Sequence, residues 1–197
     1  MRLIFLTLVT ISAGFATYLY LFPSETHRFR VSIETLAPSG RRVSSGVFEV
    51  RPDVQPIIGR GNTLSIHGQA IVVDFAKNAR VFVLLTKDPL CIATGSLDMS
   101  RLAQLAFGME GHSGPEPWKL LSEMGGLRTI SLEKLPMMVR FTDHVRPETV
   151  ERVKPTELTD ASGHGYSIER VTVELVPSGI WPLNLFGLYQ QPITTEI

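Results

Sequence analysis

The hydrophobic pattern changes several times along the chain, and each change predicts a different element. Residues 3–22, from Leu3 to Phe22, carry no charge. As a helix rising about 1.5 Å per residue, this run would span roughly 30 Å, the thickness of a bilayer's hydrocarbon core. Tyr18 and Tyr20 would sit at headgroup level, and Pro23 ends the run. Two readings compete. A secretory signal cut after Ala16 has small residues, Gly14 and Ala16, at the right places, but it leaves Tyr18 to Phe22 as an apolar new terminus. An uncleaved transmembrane anchor accounts for those residues and is the preferred reading, with the lipid bilayer as the partner of residues 3–22.

Beyond a short linker at 23–27 the pattern turns to period two. Arg28 to Glu34 alternates without a fault, with Phe29, Val31 and Ile33 on one side and Arg28, Arg30, Ser32 and Glu34 on the other. That is a strand buried on one face. Pro38-Ser39-Gly40 predicts a turn into a second strand over 42–51, so the two form a hairpin. Leu64 to Phe75 reads as one long strand in which Gly68 marks a bulge, and Arg80 to Thr86 as its hairpin partner. Period 3.6 appears only in the middle. Leu102, Leu105, Ala106 and Met109 define one short helix, with Ser96 or Asp98 as N-cap. Pro117 and Gly125 bracket a second, with Leu120, Leu121 and Met124 as its apolar side. Strands return at 137–141 and 166–176, separated by a loop holding Pro147 and Pro155. In the last strand Ile168 faces opposite to Val171, Val173 and Leu175. The expected fold class is α+β: an N-terminal transmembrane helix over 1–22, then one mainly antiparallel β domain over 28–176 with two short helices.

Residues 177–197 are different again. No charge occurs from Val176 to Thr195, and Ile180 to Tyr189 is strongly apolar. Pro182, Asn184 and Gly187 interrupt it, and it is too short to span a membrane. It either wraps over the core or docks on a partner. In the second case Trp181, Leu183, Leu185, Phe186 and Tyr189 are the contact residues.

Composition narrows the function classes. Lys plus Arg equals Asp plus Glu, 19 each, so no basic surface suggests nucleic acid as a partner. Cys91 is the single cysteine, which rules out an intramolecular disulfide and a multi-cysteine metal site, and its apolar setting reads as a small buried hydrophobe. Arg28, Arg30, Arg41 and Arg42 outnumber Arg2, which taken alone keeps the domain in the cytoplasm. Long domains translocate largely regardless of such charges, so the expectation is a single-pass membrane protein with a periplasmic or extracytoplasmic domain.

Candidate chemistry is sparse. Gly111-His112-Ser113-Gly114-Pro115 lacks the second glycine of a nucleophile elbow. Ser131-Leu-Glu-Lys134 matches S-x-x-K without its companion motifs. Asp143 stands beside His144 after a strand, a pairing suited to general-base work. No histidine pair has the i, i+4 spacing of a helical zinc site, so no metal and no cofactor is expected. His112, Ser113, Asp143 and His144 are therefore the catalytic candidates of a hydrolase reading, which requires them to meet in one cleft.

Arg28 to Glu34, Ser45 to Val50, Gly68 to Asp74, and Phe141-Thr-Asp143 leading to Val153-Lys-Pro-Thr-Glu-Leu158 together resemble a group of uncharacterised bacterial proteins of the alphaproteobacterial kind. These have one N-terminal membrane segment and a β-rich domain. The resemblance implies a cell-envelope setting and no assigned activity. The leading expectation is a membrane-anchored envelope protein that binds or scaffolds a partner, such as another envelope protein; the alternative is a membrane-anchored hydrolase using the loop Ser and His residues.

Overall fold

The computed structural model describes residues 10, 12–14, 26–37, 40–53, 63–76, 79–87, 98–110, 116–143, 145–158, 166–179, 188 and 192–193. Among them the chain forms two antiparallel sheets. The first has the order β3-β2-β1-β9-β6, with β1 His27–Ala37, β2 Gly40–Asp53, β3 Thr63–His67, β6 Leu127–Ile130 and β9 Ser167–Val176. The second has the order β4-β5-β7-β8, with β4 Ile71–Ala76, β5 Ala79–Val83, β7 Met138–Phe141 and β8 Val150–Val153. Two short helices, α1 Leu102–Ala106 and α2 Glu116–Glu123, join the sheets' later strands.

The first hairpin forms as the alternation requires. Phe29, Val31 and Ile33 of β1 are fully buried, and Phe29 lies directly opposite Phe48 of β2, with ring centroids 5.7 Å apart. Phe48 shows why glycine stands at two neighbouring places. A Cβ on Gly46 would lie 3.0 Å from its ring and 3.1 Å from Ile71 of β4. A Cβ on Gly68 would lie 2.5 Å from the ring, and Gly68 has φ +151°. The two glycines make a slot for the ring where β2 of one sheet meets β4 of the other.

Gly68 also corrects the expectation of a single long strand over 64–75. The chain leaves the first sheet after His67 and enters the second at Ile71, so the segment is two strands in two sheets. Strand β9 gives a second correction. Glu34 pairs with Arg170 but Thr35 pairs with Ile168, which leaves Glu169 as an extra, bulged residue. The bulge shifts the alternation by one. Ile168 therefore turns into the core with Val171 and Val173, not to the opposite face.

The sheets pack face to face over one core. Phe29, Val31, Ile33 and Phe48 come from the first sheet, and Val73, Phe75, Val81 and Met138 from the second. In the second sheet one inner row, Ile71-Val83-Met138-Val153, is buried along its whole length. Helix α1 packs on β9 and β6 with Leu102 and Ala103 buried. In α2 Leu121 is buried while Leu120 and Met124 are exposed, so the apolar side expected there is split.

The expected α+β class with a transmembrane helix is thus corrected: the protein is mostly β, two antiparallel sheets with a few short helices. Period 3.6 is sustained for only one to two turns, too short for helices to form a layer. Two strands were not anticipated, β6 in a stretch to which the pattern assigns no element and β8 in the loop holding Pro147 and Pro155, because four residues at a sheet edge carry too little alternation to be seen. No helix among the described residues is long and apolar enough to cross a membrane, and nearly all of residues 3–22 lies outside them.

Candidate functional site

The outward faces of the two sheets differ in chemistry. In a sandwich, each strand normally alternates apolar inward with polar outward. The first sheet follows this rule with an array of ion pairs across β2, β1 and β9. Arg28 stands opposite Glu49, Arg30 opposite Glu174, and Glu34 opposite Arg170. Each of these pairs is closed, at 2.5, 3.0 and 2.5 Å. Arg41 reaches the bulged Glu169 at 2.7 Å.

Glu49 is the centre of this array and is 1% exposed. Its Oε2 accepts from Arg28 Nε at 2.7 Å, and its Oε1 accepts from Arg51 Nε at 2.7 Å and lies 2.6 Å from a second Arg51 nitrogen. Burial pushes the carboxyl up, but hydrogen bonds and charge from Arg28 and Arg51 outweigh it and hold Glu49 below the usual carboxylate range. At the start of β1, His27 is buried, and desolvation lowers its pKa to about 4. It is neutral at pH 7.

The second sheet breaks the rule. Its outward row across all four strands runs Val72, Phe82, Val139, Arg152 by direct pairing. The neighbouring outward pair is Phe141 and Val150. Phe82 and Phe141 meet edge to face at 5.5 Å. Together with Leu84 and Met137 these residues line an open groove of about 610 Å³. Six of its seven lining residues are apolar, and the seventh is Arg152. Val150, on the edge strand, is 47% exposed.

The residues proposed from sequence fall elsewhere. His112, Ser113 and His144 lie outside the described residues, as do Cys91 and the contact candidates Trp181, Leu183, Leu185, Phe186 and Tyr189. Asp143 is described, and it builds the β7–β8 turn. One carboxylate oxygen accepts from Val145 N–H at 2.9 Å and the other from Arg146 Nε at 2.7 Å. Its carbonyl accepts from Thr149 Oγ1 at 2.8 Å. This turn brings β8 beside β7. The ammonium of Lys134 in the S-x-x-K match pairs with Glu110 at 3.9 Å, and the residue's bond to Ser131 is a backbone one, its N–H donating to the Ser131 carbonyl at 3.1 Å. Among the described residues no group of three His, Cys, Asp or Glu side chains is placed to hold a metal.

The outer face of the second sheet was not singled out from sequence, although a signal was present. Val81 to Leu85 is a continuous apolar run, as is Leu135 to Val139 apart from its strand-breaking proline. Such runs belong to strands with apolar groups on both faces. Comparison with known protein families, curated proteins and solved structures finds no match, so the functional argument rests on geometry.

Proposed function

We propose that this chain is a binding module of the cell envelope, associated with the bilayer through residues 3–22, and that it takes up its partner on the outer face of the second sheet. One observation carries the reading: Phe82 on β5, Val139 and Phe141 on β7 and Val150 on β8 are outward positions that are apolar where a solvated sheet would be polar, with Arg152 the polar exception. Contiguous apolar surface of this kind marks contact sites. The bilayer association and the envelope setting rest on the uncharged run and on the bacterial resemblance. Binding is preferred to hydrolysis because Asp143, the described member of the catalytic set, spends both carboxylate oxygens on its own turn.

The test is site-specific photocrosslinking of the full chain in cells. A photoreactive residue is placed at Val150 and, as control, at Val43, which is 62% exposed on the other sheet. A discrete adduct at 150, lipid or polypeptide, and none at 43 is the expected result. No adduct at 150, or the same pattern at both positions, overturns the proposal.

A further inference from the structure

The register of the first sheet brings two distant stretches of the chain side by side. Strand β1 starts at His27, four residues beyond Phe22, where the uncharged run ends. Strand β9 runs antiparallel to β1 and stops at Val176, the direct partner of Arg28. The entry to β1 and the exit from β9 therefore lie one strand spacing apart, about 5 Å, at the same end of the sheet. From that exit the chain continues into residues 177–197, where no charge occurs before Glu196. We infer, on the reading that residues 3–22 enter a bilayer, that residues 180–189 are a second contact with it, lying among the headgroups of the leaflet nearest the domain.

Reach permits this contact. Five peptide steps join Phe22 to His27 and five join Val176 to Trp181, and each extends to at most about 17 Å. Trp181 can thus return to the level at which the membrane run emerges. Exposure and chemistry then favour the bilayer over the core. Leu188 is the one residue of 180–189 among the described residues; it is 48% exposed and lies outside the hydrophobic core. In the sequence Trp181 and Tyr189 bracket Leu183, Leu185 and Phe186. Indole and phenol rings settle at the membrane–water boundary, where one side is apolar and the other wet. Pro182, Asn184 and Gly187 exclude a second crossing, because backbone groups left unpaired have no partner in hydrocarbon. At headgroup depth water supplies those partners. A protein partner would have to be recruited, whereas the leaflet is within reach of the β9 exit whenever residues 3–22 are inserted.

The experiment uses the full chain in nanodiscs of phosphatidylcholine doped with a diazirine-bearing phosphatidylcholine, followed by trypsin. No Lys or Arg occurs between Arg2 and Arg28 or after Arg170, so peptides 3–28 and 171–197 report separately on the two contacts. Peptide 31–41, which runs away from both towards the β1–β2 turn, is the background. Lipid adducts are expected on both contact peptides, with those of 171–197 mapping to 180–189 and exceeding the background by at least about fivefold. Because the stretch is uncharged, raising the salt or adding anionic lipid should leave its labelling unchanged. Leu185→Asp with Phe186→Asp should cut it at least about tenfold without altering the labelling of 3–28. Should that variant fail to fold, the comparison of peptides on the unaltered chain decides. Labelling of 3–28 with 171–197 at background would overturn the inference and leave the membrane run intact. Labelling of 171–197 that needs anionic lipid, or that survives both substitutions, would overturn it as well. Background labelling of both peptides would remove the bilayer association itself, and the second contact with it.

Discussion

Replacing Glu49 should separate what burial and charge each contribute to the first sheet. Glu49→Ala leaves Arg28, 7% exposed, without the carboxylate that offsets its burial. Breaking a buried pair from one side costs about 3–5 kcal/mol, because the remaining charge stays desolvated. Arg51 is 53% exposed and can return to water, so Arg51→Ala should cost about 0–1 kcal/mol. Arg28→Ala falls between them, since Glu49 keeps its two contacts to Arg51. The double change Arg28→Met with Glu49→Leu removes both charges, and should return to within about 1–2 kcal/mol of the parent. Urea unfolding of the full chain, followed by circular dichroism, gives these values from shifts in midpoint at constant slope. If Glu49→Ala cost less than about 1 kcal/mol, or no more than Arg51→Ala, the buried clamp would not be a structural element and the reasoning would fail.

Acid should weaken the same end of the sheet in two steps. His27 has a folded pKa of about 4 against an ordinary 6.5, so its contribution is whole above pH 6.5 and is lost as pH falls towards 4, by about 3 kcal/mol in all; His27→Phe should flatten that part of a pH–stability curve. Glu49, held below its ordinary value, adds a further loss at lower pH, which Glu49→Gln should remove. Gly68→Ala drives a Cβ into Phe48 and should cost more than about 2 kcal/mol, whereas Gly40→Ala, with open space around it and φ +110°, should cost about 1 kcal/mol, both by thermal unfolding. Thr35 is 1% exposed and its hydroxyl has no hydrogen-bond partner among the described residues, so Thr35→Val should stabilise by about 1 kcal/mol. Asp143→Ala should loosen the β7–β8 turn by about 1–2 kcal/mol, read as faster hydrogen exchange at Val145 and Thr142.

The parts of the fold legible in the sequence were those where one long strand alternates without interruption. β1 and β2 could be paired by eye because Phe29, Val31, Ile33, Phe48 and Val50 keep strict parity. Parity failed where the backbone makes one irregular step. The bulge at Glu169 turns Ile168 inward, and no side-chain pattern announces it. Gly68 was visible as an interruption, but whether a glycine bends a strand or transfers it to another sheet depends on Phe48, twenty residues earlier. The candidate site was less legible still. Chemistry was sought in polar residues such as Asp143, whereas the unusual feature is apolar, and it appears only when β5, β7 and β8 are aligned. β8 itself is four residues long and lies in a stretch dominated by turn formers.

The central claim is that the outer face of the second sheet is covered when the protein works. Hydroxyl-radical footprinting of the full chain in intact cells, set against the purified chain, addresses it directly. The account predicts that Phe82, Phe141 and Val150 are oxidised in the purified chain and protected in cells, while Val43 and Leu36 on the first sheet react equally in both. Equal oxidation of Phe82, Phe141 and Val150 in the two settings would show that nothing occupies the face, and would contradict the account.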